Sequence, residues 1–383
     1  MHENGETTAP PRASNISLDA HVRSRQLELA RSLERKKAVY LDIKFWIILR
    51  DVVTGLRSDP VEAELLSLLR EGVAEGRLFC PISDSTFAEL LKKADLHSRE
   101  VTAGLIDELS LGITLIPYEL RAGTELAHFL RSARTPNDVY PLDHLVWSKL
   151  SYVMGFLHPH GTPFDPATEL SMQKMFFDYA WTLSMREMIH RIGDHALSDS
   201  VRFDTLAQRL NELNSQHTAE LRSFVQTYET EVHGILDIFM DLTIDIVGQM
   251  VYEEYGKVPP LSPEQRKEEG RQLHNLLFAA LKMEATKRVL PSLHIPASLH
   301  AAVRWNKQQR LKANDFLDFR HAVAALGYCD AFFTERSLRS LITTSHMALD
   351  HMYGCHVVAS SGDAVACLRH LPDLPEKDTE GPS

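Results

Sequence analysis

The stretch from Asn314 to Glu335 constrains the fold most, because it predicts a helix followed directly by a buried strand. Asn314 or Asp315 is suited to cap the start of that helix. Apolar residues then recur at helical spacing as far as Gly327, where we expect the helix to end. The apolar run 331–334 predicts the strand, with Glu335 just beyond it. Ligand sites of open α/β sheets form beyond the carboxyl ends of the strands, which is where Glu335 lies. The stretch therefore predicts an α/β fold with acids placed near a ligand site.

Four other short apolar runs predict strands, at 38–42, 77–82, 113–117 and 355–359. Helical patterns separate them, which is typical of a parallel sheet sandwiched by helices. Between 118 and 312 the sequence predicts helices and no strand. We therefore expect a polar lead and N-terminal helix at 1–37, an α/β domain in two parts at 38–117 and 313–370, a large all-helical insertion at 118–312, and a loose tail at 371–383.

The composition predicts a globular cytoplasmic protein. Hydrophobic residues make up 44% of the chain and charged residues 24%, and the four cysteines are widely separated, which predicts reduced thiols. The most apolar long stretches are interrupted by charges, so no membrane span is expected. The net charge of −11 argues against a protein that coats nucleic acid over its whole surface.

Acidic residues follow or flank several of the predicted strands. Asp42 ends the first strand, Glu89 lies on the helix after the second, and Asp318 lies at the start of the helix before the fourth. Right-handed crossovers would bring these acids to one edge of the sheet. Carboxylate oxygens suit hard cations, so the pattern predicts a Mg²⁺ or Mn²⁺ site. The candidate ligands all lie near a strand end and are Asp42, Glu89, Asp315, Asp318, Asp330 and Glu335. A plain helix-capping role is the alternative for Asp315 and Asp318.

Three segments that carry these acids resemble the motifs of the PIN domain nucleases. YLDIKFWI resembles the first motif, ISDSTFAELL the second, and DFRHAVAALGYCDAFFTER the third and fourth. The matching residues are Asp42, Glu89 and Asp318, with Thr334 as the threonine at the strand end. The resemblance covers 38–117 and 314–359. It implies a PIN-like fold and a metal-dependent endoribonuclease in which Asp42, Glu89 and Asp318 are catalytic, with products that carry a 5′-phosphate and a 3′-hydroxyl.

Two positions depart from the family pattern and keep other functions open. Lys44 stands where the family often has Asn, and Arg336 stands where its fourth acid commonly lies. These residues favour a catalytically silent PIN-like module that binds RNA, or a protein partner through the helical insertion. A DNA-directed nuclease is a third possibility, because no residue pattern predicts recognition of a 2′-hydroxyl.

Candidate substrate contacts fall in two places. Beside the acids, an Arg such as Arg336 is suited to hold a substrate phosphate. Elsewhere, the span 266–312 contains ten Lys or Arg against three Glu, which predicts an RNA-binding face where Trp305 stacks on a base. A solvated helix face is the alternative for that span. The candidate contacts are Lys44, Thr334, Arg336, Arg304, Trp305 and Lys307.

Overall fold

A computed structural model describes residues 16–135, 139–193, 200–216, 223–257, 260–306 and 309–371. Six strands lie within these ranges: β1 (Lys37–Leu41), β2 (Leu78–Phe79), β3 (Ile113–Leu115), β4 (Trp147–Lys149), β5 (Ala331–Phe333) and β6 (His356–Val358). Four of them form a parallel sheet in the order β2-β1-β5-β6. This result confirms the predicted parallel sheet.

Helices cover both faces of this sheet. The described α-helices are α1 (Leu18–Arg31), α2 (Ile43–Val53), α3 (Pro60–Ala74), α4 (Asp84–Lys92), α5 (Leu96–Ser110), α6 (Tyr118–Arg134), α7 (Pro166–Ala180), α8 (Met185–Ile192), α9 (Ser200–Gln216), α10 (Phe224–Tyr255), α11 (Pro263–Ala280), α12 (Glu284–Val289), α13 (Pro291–Trp305), α14 (Asp315–Tyr328), α15 (Arg336–Ile342), α16 (Leu349–Tyr353) and α17 (Ser361–His370). Within the described ranges, none of them has the length and apolar character that crossing a bilayer requires.

The central strand β1 is apolar on both faces because helices cover it on both sides. Tyr40 packs into one core with Phe332, and Leu41 packs into the other with Phe333. Such continuous burial is typical of strands in a parallel sheet. In the register of β1 against β5, Leu41 lies opposite Phe333. Asp42 and Thr334 follow these two residues, so they lie at the same edge of the sheet.

The strand predicted at 113–117 is present as β3, but its expected place in the parallel sheet was wrong, and so was the expected absence of strands after 118. β3 pairs antiparallel with β4 in a separate two-stranded sheet, and only a single bridge from Thr114 to Ile82 links it to the chain that follows β2. β4 has three residues, which is too short for alternation to be visible in the sequence. Its Trp147 is buried because its ring packs edge-on against Phe79, with centroids 5.4 Å apart.

The ends of α14 also differ from the prediction. Asn314 makes no capping hydrogen bond with its side chain, and the helix continues through Gly327 to Tyr328. Gly327 is helical and lies where α14 passes close to α13, since an added Cβ would be 3.2 Å from Pro291. The glycine therefore serves helix packing rather than helix termination.

The helical segment between 118 and 312 shares its core with the sheet. Ile295 and Leu299 of α13 are fully buried in the same cluster as Tyr40 and Phe332. On the other side of the sheet, Met185 of α8 belongs to the cluster that contains Leu41. The borders of the predicted insertion are therefore marked by a change in sequence pattern only. Side chains of the segment and of the sheet pack together in the same cores.

A conservative change on α13 tests this shared core. We expect Ile295→Val to lower the free energy of unfolding by about 0.5–1.5 kcal/mol, because it removes one buried methylene. Urea unfolding followed by far-UV circular dichroism and by tryptophan fluorescence should give one shared transition for the wild type and the variant. Two separated transitions, with only one of them moved by the substitution, would contradict a common core.

Candidate functional site

Asp42 is the acid that lies deepest at the carboxyl edge of the sheet. It follows β1 and caps α2, where its Oδ1 accepts a hydrogen bond of 2.9 Å from the backbone N–H of Lys44. Only 6% of the residue is exposed. Burial raises the pKa of Asp42, and the neighbouring Thr334 and His321 side chains reverse only part of this effect. The Thr334 hydroxyl is itself buried without a partner in good hydrogen-bond geometry.

Glu89 interacts with a buried histidine, His321. Its Oε2 lies 2.7 Å from Nε2 of His321 on α14, and Nδ1 of His321 lies 2.7 Å from the Tyr40 hydroxyl. The same hydroxyl is 2.6 Å from Oγ of Ser83. Burial lowers the pKa of His321, but the nearby Tyr40 and Glu89 oxygens raise it more, so that it lies well above its usual value. A protonated His321 can donate to both Glu89 and Tyr40.

Asp318 lies near three other carboxylates at this edge. Its pKa is raised to about 7, first by burial and then by the negative charges of Glu89, Asp42 and Glu335, against the opposing effect of His321. Among the described residues, no side chain or backbone group makes a hydrogen bond or ion pair with its carboxylate. Asp42, Glu89, Asp318 and Glu335 are therefore close enough to interact, and we call them the acidic cluster.

Two predicted ligands lie outside the acidic cluster. Oδ2 of Asp315 accepts a 2.8 Å hydrogen bond from the backbone N–H of Lys312, so this carboxylate closes the turn before α14. Asp330 precedes β5 and lies at the opposite edge of the sheet. There it accepts hydrogen bonds from the backbone N–H of Ala38 at 2.8 Å and from Lys37 Nζ at 3.3 Å. The structure thus gives both residues local structural partners and does not bring Asp330 to the predicted site.

The predicted substrate contacts beside the acids all lie at the carboxyl edge of the sheet, with the acidic cluster. Lys44 is in the first turn of α2, and its Nζ lies 3.4 Å from the carbonyl oxygen of Ala359, just beyond β6. Thr334 follows β5, and Arg336 is the exposed first residue of α15. Lys44 and Arg336 reach the surface and remain candidate contacts for a substrate phosphate, whereas the side chain of Thr334 is buried next to Asp42.

Acids neutralise part of the basic span 266–312. Arg304 contacts Glu231 at 2.8 Å, and Arg266 contacts both Asp241 and Asp245. Trp305 is 37% exposed at the end of α13, and Lys307 lies outside the described residues. These ion pairs reduce the positive charge on which the predicted RNA-binding face depended.

His321 is the functional candidate that sequence reasoning missed. A signal was present, because His321 lies three residues after Asp318 and therefore on the same side of α14. Its role depends on Glu89 and Tyr40, which are 232 and 281 positions away in the chain. No local pattern contains that information.

Within the part of the chain that the structure describes, no three His, Cys, Asp or Glu side chains are already arranged to hold a metal ion. No protein-family model, curated protein or solved structure matches this chain. The geometry and chemistry of the site are therefore what a functional proposal has to draw on.

Proposed function

We propose that this protein is a metal-dependent endoribonuclease whose acidic cluster holds Mg²⁺ or Mn²⁺. The observation that carries the proposal is the mutual electrostatic effect of four carboxylates at one edge of the sheet. Like charges in a partly buried place raise each other's pKa, and a bound cation reverses that effect. His321 supplies one positive charge, which is too little to neutralise four carboxylates.

The donor chemistry at this edge, rather than a preformed ligand geometry, is what suits a hard divalent cation. Asp42, Glu89 and Asp318 offer oxygen ligands, which Mg²⁺ and Mn²⁺ prefer. Asp318 has no competing partner among the described residues, and His321 orients Glu89 in the way that outer hydrogen bonds orient metal ligands. When bound, the ion would supply Lewis-acid chemistry and lower the pKa of a coordinated water.

The remaining residues at the edge have roles in binding and orientation. Glu335 is the exposed member of the acidic cluster and can orient a water molecule, while Lys44 and Arg336 can hold the phosphate of the substrate. Attack of water on phosphorus with cleavage of the P–O3′ bond leaves a 5′-phosphate and a 3′-hydroxyl, as the resemblance to PIN domain nucleases implies. The PIN-like identity of the fold and the cytoplasmic location belong to the same proposal.

Manganese binding and cleavage test the proposal together. We expect Mn²⁺ to raise the melting temperature of the wild type and to permit cleavage of labelled RNA, because the ion binds only the folded acidic cluster. Asp42→Asn should abolish both effects, while Asp315→Asn, which changes a carboxylate on the turn before α14, should preserve both. Full cleavage by Asp42→Asn in Mn²⁺ would refute the assignment.

A catalytically silent module is the second candidate, and one observation favours it. His321 and a proton on Asp318 can relieve part of the repulsion without any metal. In that case Mn²⁺ would give no thermal shift that depends on Asp42, although RNA or a protein partner could still bind. Labelled single-stranded DNA in the same assay tests the DNA-directed alternative, since an enzyme of that class would cleave DNA and leave RNA intact.

A further inference from the structure

Helix α7 carries large apolar side chains on its outer side. On its inner side Phe177 and Ala180 are buried, and the Phe177 ring stacks on Tyr152 with centroids 4.9 Å apart. The outer side of such a surface helix is ordinarily polar. Here it instead exposes four large apolar residues at the spacing of one helical face, which are Met172, Met175, Phe176 and Tyr179. We call these four residues the α7 stripe.

The α7 stripe is open to a partner. The exposed fractions of its residues range from 36% for Met172 to 72% for Met175, and none of the four belongs to a hydrophobic core cluster of described residues. The Arg191 guanidinium lies 5.8 Å from the centroid of the Tyr179 ring, but more than half of Tyr179 stays exposed. Single apolar residues on a surface are ordinary, whereas several on one helical face indicate an interaction site.

The loop before α7 adds to the exposed apolar surface. A 2.8 Å hydrogen bond from Gln173 Nε2 to the carbonyl oxygen of Pro159 holds this loop alongside the helix, and the loop exposes Leu157 and Phe164. Together with the α7 stripe, these large side chains are each about half exposed and leave about 600 Å² open. A standard stable interface buries roughly 800 Å² on each partner, including a polar rim. The area is therefore of the size that one protein–protein contact covers.

The segments outside the described ranges are too polar to cover the α7 stripe. Each of them contains at most one large apolar residue, such as Leu197 in 194–199 and Leu374 in 372–383. A cover for the stripe has to supply several apolar side chains at once. It therefore comes from a second molecule.

The order of residues along the α7 stripe makes it complementary to a second copy of itself. Two α7 helices can lie antiparallel about a two-fold axis that passes between positions 175 and 176. In that arrangement Met175 faces Phe176 of the second copy, and Met172 faces its Tyr179. Each methionine thioether then meets an aromatic ring, which is a favourable contact.

Charges at the two ends of α7 favour the same arrangement. Asp165 caps the amino end of the helix, and Arg191 lies over Tyr179 at the carboxyl end. Asp178, also near the carboxyl end, is paired with Arg25 of α1 at 3.0 Å. In an antiparallel pair, the acidic end of one helix approaches the basic end of the other, and the two helix dipoles align favourably.

We propose that two copies of this chain associate through the α7 stripe as an antiparallel, two-fold symmetric helix pair. A two-fold contact uses the same surface on both copies, so the association closes at a dimer. The contact lies in the segment 118–312, outside the residues that resemble PIN domain nucleases, and it is independent of the proposed function.

Paired charge substitutions test the proposed dimer. The wild type at roughly 50 µM, above the weakest affinities of interfaces of this size, should have twice the mass of one chain by multi-angle light scattering. Met175→Glu should give monomers, because the two introduced carboxylates would meet beside the two-fold axis. Phe176→Lys should do the same through two ammonium groups. Both positions are exposed, so each variant should keep the circular dichroism spectrum of the wild type.

An equimolar mixture of the two variants should form dimers that neither variant forms alone. In the mixture, the carboxylate introduced at position 175 faces the ammonium group introduced at position 176 of the other chain. On the other side of the axis, Phe176 of the first chain still faces Met175 of the second. Recovery of the dimer in the mixture therefore depends on the proposed antiparallel register, and a mixture that stays monomeric would overturn it.

Ile238→Glu on α10 provides the matched control. Ile238 is 75% exposed, against 72% for Met175, but it lies on another helix, so its substitution should leave the dimer intact. Dimers that persist in both Met175→Glu and Phe176→Lys would overturn the proposed contact. A wild type with the mass of a single chain would also overturn it, and would leave the α7 stripe to a different protein partner.

Discussion

Asp318→Asn should abolish metal-dependent cleavage and, in the absence of metal, stabilise the protein at alkaline pH. Removing a hydrogen-bond partner of a metal ligand lowers activity roughly 10- to 100-fold. Asp318 is itself a proposed ligand, so we expect its loss to reduce cleavage by more than that. The gain in stability follows from the raised pKa of Asp318, about 7 against an ordinary value of 3.8. Because the folded protein holds this proton more tightly than the unfolded chain does, the carboxyl group contributes stability below pH 4 that is lost as the pH rises through 7. Above that pH the carboxylate is ionised in an unfavourable place, and a neutral Asn removes this penalty.

The size of this effect is as much as about 4 kcal/mol between pH 4 and pH 8, since each unit of pKa shift corresponds to about 1.36 kcal/mol. Urea unfolding in EDTA at both pH values measures it. Asp315→Asn is the control on the same helix, and it should keep the wild-type pH dependence. If Asp318→Asn also keeps the wild-type pH dependence, the raised pKa of Asp318 is wrong, and with it the crowding of charge in the acidic cluster.

His321→Gln should be the most destabilising change near the site, because it removes a buried cation from between Glu89 and Tyr40. We expect the free energy of unfolding at pH 6 to fall by about 3 kcal/mol or more, the usual cost of breaking a buried ion pair. The pKa of His321 is raised, so its contribution is complete below pH 6.5 and is lost only as the pH rises through the higher folded-state value. Urea unfolding at pH 6 and at alkaline pH measures the difference.

A double-mutant cycle separates the ion pair from simple packing around the imidazole. Glu89→Gln, His321→Gln and the double variant should show a coupling energy of about 0.5–3 kcal/mol, as expected for residues in contact. Tyr40→Phe removes one hydroxyl from the same network and should cost about 1–3 kcal/mol, because buried His321 and Ser83 each lose a partner. Additive effects of the Glu89 and His321 changes would mean that the two side chains do not interact as the structure shows.

The orientation of Glu89 by His321 also has a functional consequence. A histidine that only fills space would change stability without changing the affinity for Mn²⁺ in the folded protein. A histidine that orients a ligand carboxylate should, when replaced, weaken Mn²⁺ binding roughly 10- to 100-fold. Calorimetric titration of His321→Gln with Mn²⁺, at a temperature where the variant remains folded, distinguishes these two roles.

Local sequence patterns predicted the parts of the fold that depend on short-range periodicity. The alternation of apolar strands and helices predicted the parallel sheet, and Asp42 and Thr334 lie at one edge of it, as expected for residues that follow adjacent parallel strands. The same patterns could not predict β4, because three residues carry too little periodicity. The position of Asp330 could have been predicted, because a residue that directly precedes a parallel strand lies at the amino edge of the sheet, opposite the edge where Asp42 lies.

The sequence by itself determined which acids follow strands and which begin a helix, because those properties depend on neighbours within a few residues. Only the tertiary structure decided that Asp330 bonds to the amino end of β1 and that His321 lies between Glu89 and Tyr40. The same is true of Phe203, which reaches the start of α14 from α9. Each of these contacts joins residues far apart in the chain, and it forms where two packed elements meet, which is set by the whole core and not by any one segment.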